Sequence, residues 1–197
     1  MKKWLTRALI VVLILMFGGA AAIAYALHRA QERMERRIDI ATYNVDIPVS
    51  AEAIERGQYL FSTRGCVDCH GADGAGRAFV DDGSMRIRGP NISPGPGNVV
   101  AKYTPADWER ALRHGVKPDG RPLMIMPSED YNRLTDADLG ALVAYVKQLP
   151  PVAGGAGEVV LPLPYRALYG LGKIPDAASI IDHARKPAPP VAEGVTV

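Results

Sequence analysis

Cys66-Val67-Asp68-Cys69-His70 gathers both cysteines of the chain and one of its four histidines into five residues. A C-x-x-C-H run places two thiols on one tight turn with an imidazole directly after the second. That arrangement attaches a haem through two thioether bonds and gives its iron one axial nitrogen. A bare C-x-x-C can also be a dithiol redox motif, but that reading goes with a βαβ setting, and here a helix-like segment precedes the motif while a Gly-rich loop follows. Zinc needs four ligands, and outside the motif only His28, His114 and His183 could complement it, none with paired, finger-like spacing. The reading is one haem c, bound covalently through Cys66 and Cys69, with His70 on the metal.

The sixth position on the iron chooses between electron transfer, gas binding and peroxide chemistry. Met85, Met124, Met126, His114 and His183 are the candidates in the soluble part. Met126 sits in Ile125-Met126-Pro127, between two predicted helices, where the proline stiffens the backbone and discourages helix. A methionine can equally be a core gap-filler, and Met124 lies only two residues away, so residue chemistry separates the two weakly. Arg86, Arg88 and Arg113 could neutralise haem propionates but read first as solvated surface cations. Trp108 reads as a core aromatic, and His114, at the end of its helix, as structural or exposed.

Helices and loops must position these groups. Ser50 is a plausible helix cap, and Ala53, Ile54, Gly57, Leu60 and Phe61 follow at helical spacing, leading straight into the haem motif. Residues 71–76 are turn-rich, and Gly89-Pro90-Asn91-Ile92 through Gly97 reads as an irregular loop wrapping a cofactor rather than a strand region. Thr104-Pro105-Ala106-Asp107 opens a short helix that stops at Gly115 and carries Trp108, Ala111 and Leu112. Thr135-Asp136-Ala137-Asp138 opens the last helix of the domain, with Leu139, Leu142, Val143 and Val146 as its stripe and Pro150-Pro151 as its stop. Residues 154–157 mark a linker. One helical patch at 165–171 precedes a Pro-rich run at Pro187, Pro189 and Pro190 that is expected to lack a fixed fold.

The N-terminus carries Lys2, Lys3 and Arg7 and then runs from residue 8 to 27 without a charge, about 30 Å of helix. A retained membrane anchor is favoured. A cleavable signal peptide competes, because the second half offers small-x-small pairs such as Ala22 and Ala24, yet the apolar stretch exceeds the usual ~7–15-residue signal core. Flanking charges do not orient it, since Arg29, Arg33, Arg36 and Arg37 balance the near side. Haem attachment to C-x-x-C-H takes place outside the bacterial cytoplasm and so sets the expected side. Seven of the 23 basic and two of the 21 acidic residues lie before Ile38, leaving 16 against 19 and a formal −3 for the remainder. Nucleic-acid binding has no support from that balance, and a docking partner should present a basic or apolar face.

The order helix, C-x-x-C-H, Gly-Pro-Asn loop, short helix, Met-Pro loop, C-terminal helix resembles class I cytochromes c over about residues 50–152. Gly57 and Phe61 fit that family's first-helix pattern, and Leu142 and Tyr145 its last-helix pattern; the physical sense is a close crossing of two helices. The resemblance implies an all-α fold of three to four helices around one covalent haem, preceded by a transmembrane helix. It also implies that the Pro90 carbonyl accepts the hydrogen bond of the His70 ring and that Met126 is the distal ligand, with Met124 second. A closer likeness is to the membrane-bound cytochrome subunits of bacterial alcohol and aldehyde dehydrogenases. It is carried by Pro90-Asn91-Ile92-Ser93, Ala111-Leu112-Arg113-His114-Gly115-Val116, Met126-Pro127 with Tyr131, and Leu134-Thr135-Asp136-Ala137-Asp138-Leu139. Those subunits usually hold several haem domains. This chain has one, and Asp182-His183 with the Pro-rich run looks like a connector towards another, as in a shortened relative or a truncated product.

The expected organisation is an anchor and juxtamembrane helix at 1–37, a tether at 38–49, the cytochrome domain at 50–152 and a Gly/Pro-rich extension at 153–197. The expected role is electron carriage rather than catalysis. The haem domain would sit on the periplasmic side of a bacterial inner membrane, between a redox donor and acceptor such as a dehydrogenase and an oxidase. A haem peroxidase or gas-binding protein with an open sixth position is the alternative, and a chiefly structural haem subunit a third.

Overall fold

The structure is a computed structural model and describes residues 2–189. Along those residues the order is α1 (Lys2–Glu35), α2 (Ala51–Thr63), α3 (Cys66–His70), β1 (Ala78–Asp81), β2 (Arg86–Arg88), α4 (Pro105–His114), α5 (Ser128–Tyr131), α6 (Asp136–Gln148), β3 (Glu158–Val160), α7 (Leu163–Gly170) and α8 (Ala177–Ile180). They form two compact units. One comprises the residues up to Arg36 with Pro162–Pro175, the other Arg37–Leu161 with the described residues from Asp176 onward.

The first unit is α1 with α7 packed on it. At 34 residues, α1 is long and apolar enough to cross a membrane. Its side chains from Leu9 to Phe17 are exposed, Phe17 by 74%.

In the second unit, the helix starts follow from the caps. Ser50 Oγ accepts from the Ala53 amide and Thr135 Oγ1 from the Asp138 amide, while Thr104 and Asp107 form a reciprocal capping box. Gly115 ends α4, and α6 stops two residues before Pro150. The core lies where α2 crosses α6. Gly57 permits this approach, because a Cβ there would overlap the Ala141 carbonyl and the Tyr145 Cβ. Phe61 and Tyr145 fill the flank with ring centroids 5.5 Å apart, and Leu139 and Val143 are fully buried beneath them.

Three features depart from the sequence reading. The expected all-α domain also carries a three-stranded antiparallel sheet, β1-β2-β3, in which Ile87 pairs with Val80 on one side and Val159 on the other. Residues 38–49, read as a tether, run along the domain: Val45 is 4% exposed in the main core, and the Asp46 carbonyl lies against Gly140 of α6. Arg113, read as a solvated cation, has a side chain only 3% exposed. Its guanidinium donates to the Tyr43 hydroxyl at 2.8 Å, the Leu134 carbonyl at 2.9 Å and Asp136 Oδ1 at 2.7 Å. Tyr43 in turn donates to Asp136, and burial together with that bond pushes its hydroxyl up to about 12. The charge is tolerated because three partners from two distant segments meet it. Beyond residue 152 the chain supplies β3, α7 and α8. Pro187 and Pro189 lie in coil, and Pro190 falls outside the described residues.

Candidate functional site

A cavity of about 460 Å³ opens inside the second unit, within the ~300–1,000 Å³ range of cofactor sites. Phe61 of α2, Leu112 of α4 and Leu142, Val143 and Val146 of α6 make one wall; Ile92, Val100 and Tyr103 come from the loop that precedes α4. The helices that carry the core therefore also shape the site. Cys66, His70, Pro90 and Met126 all face this cavity, while Met124 and Cys69 are not among its lining residues. Both cysteines are free and half-buried.

The motif itself is a single helical turn. It is entered through Gly65 and left through Gly71, whose amide bonds the Val67 carbonyl. Returning chain fixes it from outside, since Gly76 N–H donates to the His70 carbonyl at 2.8 Å and Arg77 N–H to that of Cys69 at 2.9 Å. His70 Nδ1 lies 3.0 Å from the Pro90 carbonyl oxygen. A carbonyl only accepts, so Nδ1 carries the proton and Nε2 keeps its lone pair for a metal. Burial holds His70 below the usual imidazole range, against the opposing pull of Pro90, which favours the neutral ligand form.

Burial pushes the Cys66 thiol up to about 11 and raises Cys69 as well. A catalytic dithiol needs the opposite shift. Among the described residues no group of three His, Cys, Asp or Glu side chains could hold an ion. The donors at the cavity are instead one oriented imidazole and one soft thioether, in apolar walls with two protonated thiols at hand. That set fits a covalently attached haem, which takes its equatorial nitrogens from its own ring.

The proposed propionate cations do not gather here. Arg86 and Arg88 are exposed, Arg86 pairing with Glu158 at 2.9 Å, and Arg113 is engaged as described above. Lys117, which the sequence reading passed over, lines the cavity, and desolvation lowers its pKa. Trp108 is a core aromatic and also lines the cavity, edge-on to Tyr103 at 5.4 Å.

Two further residues take roles that the sequence reading did not assign. Asn91 is fully buried and ties the loop together: its amide donates to the Pro96 and Val152 carbonyls, each at 3.0 Å, and its Oδ1 accepts from the Ser93 amide and hydroxyl. It holds Pro90, and so the His70 ring, in place. Glu109, itself buried, belongs to a chain of hydrogen bonds. His114 Nε2 lies 3.2 Å from Glu109 Oε1, His114 Nδ1 3.0 Å from His183 Nδ1, and His183 Nε2 2.9 Å from the Ala178 carbonyl. The carbonyl fixes a proton on His183 Nε2, so in the neutral ring Nδ1 accepts from His114 Nδ1–H.

Comparison with known proteins gives a consistent picture. Residues 54–150 match the family described as Cytochrome c. The fructose dehydrogenase cytochrome subunit of Gluconobacter japonicus is 38% identical over 138 residues, 64% of this chain and 28% of that protein. The cytochrome c subunit of the quinone-type alcohol dehydrogenase of Gluconacetobacter polyoxogenes is 30% identical over 72% of this chain and 32% of its own length. A diheme c-type cytochrome of Cereibacter sphaeroides is 32% identical over 60% of this chain and 44% of its own. The chain thus spans less than half the length of these relatives.

Proposed function

We propose, from the match of residues 54–150 to the cytochrome c family, that this chain is a membrane-anchored monohaem electron carrier serving a dehydrogenase. Cys66 and Cys69 would hold the haem by thioether bonds, His70 and Met126 would be the side chains that bind its iron, and Pro90 fixes the His70 ring. The haem, when bound, supplies a one-electron ferric/ferrous couple. The chain's own part is to exclude water, to hold the imidazole proton on Nδ1, and to present a soft sulfur that favours the ferrous state. The observation that carries this reading is the meeting, in one apolar cavity, of Met126 with a His70 whose Nδ1 is tied to Pro90 at 3.0 Å.

The relatives whose names make them subunits of fructose, alcohol and gluconate dehydrogenases support a dehydrogenase as donor, and a terminal oxidase is the proposed acceptor. The length and apolarity of α1 support a bacterial inner-membrane anchor, with the haem domain on the periplasmic side where c-type haems are attached. The ferric holoprotein should show a methionine-to-iron charge-transfer band, lost in Met126→Ala and kept in Met124→Ala. The reverse pattern transfers the ligand to Met124, and a high-spin spectrum in the unmutated protein overturns the carrier in favour of an open sixth position.

A further inference from the structure

α7 is amphipathic in the inverted sense. Tyr169 is 1% exposed, whereas Leu163, Leu168 and Leu171 are 60%, 45% and 55% exposed. At ~100° per residue, Leu163, Pro164, Ala167, Leu168 and Leu171 share one arc of about 140°. A short helix in water would turn that arc inward, and here it turns outward.

The place of α7 on α1 gives the reason. Gly170 seats against the backbone at Ala26 and Ala30, which are 2% and 0% exposed; a Cβ at Gly170 would overlap the Ala26 carbonyl. The Arg33 guanidinium stacks 4.6 Å above the Tyr169 ring, and Arg36 donates to the Tyr169 hydroxyl at 3.0 Å. This contact level lies just past Tyr25. Trp4 and Tyr25 are 73% and 61% exposed and lie near the two ends of the apolar stretch of α1, with Arg7 between Trp4 and its start; they are about 30 Å apart on the helix axis, close to the thickness of a hydrocarbon core. Around α7 the first unit carries Arg29, Arg33, Arg36, Arg166 and Lys173 against Glu32 and Glu35.

We propose that α7 lies in the interface of an anionic phospholipid bilayer at the C-terminal end of α1, with Leu163, Leu168 and Leu171 in the acyl boundary and the surrounding arginines at the headgroups. This rests on α1 crossing the membrane. The chain would then hold the bilayer at two points far apart in sequence, before and after the haem domain.

The test uses full-length holoprotein in vesicles of mixed zwitterionic and anionic phospholipid, spin-labelled at Leu168→Cys, at Leu163→Cys, or at Leu15→Cys in α1. Both α7 labels should collide with oxygen and lose collisions with a water-soluble nickel chelate, at a depth of about 5–10 Å. If the Leu15 label itself meets the chelate, the anchor reading fails. If the Leu15 label is lipid-exposed while both α7 labels meet the chelate as freely as water-exposed sites, the α7 proposal alone is overturned. Shielding of the α7 labels from both reagents also overturns it, because a second copy of the chain then covers the face.

Discussion

In α1, Leu13, Ile14, Leu15, Met16 and Phe17 are 42–74% exposed; in the second unit, Leu60, Phe61, Leu139 and Val143 are no more than 1% exposed. The residue types are the same, and the periodicity differs. Residues 8–27 of α1 are apolar on every side, the pattern of a helix able to cross a membrane. α2, α4 and α6 present their apolar residues to one another and to a cavity. Hydrophobicity alone does not say which way a side chain turns. What the helix packs against does.

The comparison breaks most sharply at the helix crossing. Gly57→Val places branched atoms where the Ala141 carbonyl and Tyr145 already sit, so the second unit should fail to fold and haem incorporation should be lost, while the chain still fractionates with membranes through α1. Pigment content against membrane-bound protein reads this directly. Next in size is a matched pair of truncations. Phe61→Ala removes a ring that is 1% exposed and should lower the stability of the haem unit by about 3–5 kcal/mol. Phe17→Ala removes one that is 74% exposed and should leave the haem unit's denaturation midpoint unchanged; a comparable loss from both would dissolve the distinction between the units.

The smallest expected effect concerns pH. Burial, with the neighbouring His114 adding to it, holds His183 below the usual 6.5, while the Ala178 carbonyl and Asp182 oppose the shift. The folded state therefore binds fewer protons than the unfolded one just below that value. Stability from this contact is complete above about pH 6.5 and is lost as the pH falls through the depressed folded value. Amide exchange at Ser179 and Ile181, whose N–H groups donate to the Asp176 and Ala177 carbonyls at the two ends of α8, should quicken on acidification. The acceleration should vanish in His183→Gln.

Much of the framework was legible because its signals are local. Ser50, Thr104 and Thr135 announce helix starts by side-chain geometry within one turn, Gly115 a stop, and Gly57 a close crossing. The small sheet was not legible, since β2 is three residues long and gains its second partner from residues 158–160, some seventy positions on. Arg113 looked like any helix-surface cation, because the groups that make its burial tolerable, Tyr43 and Asp136, come from other segments. Glu109 lies in α4 between residues that face the core, and only the approach of His183 shows that it ends a chain of hydrogen bonds.

The sequence by itself determined the chemistry on offer, two thiols and an imidazole on one turn, and the apolar length of α1, because spacing and hydropathy are properties of neighbouring residues. It also set the helix ends. Only the tertiary structure decided that Met126 rather than Met124 lines the cavity with His70, that Asn91 holds the Pro90 loop, and that the leucines of α7 face outward. Each of those depends on which distant segments pack against a residue, and such contacts form only when the chain closes on itself.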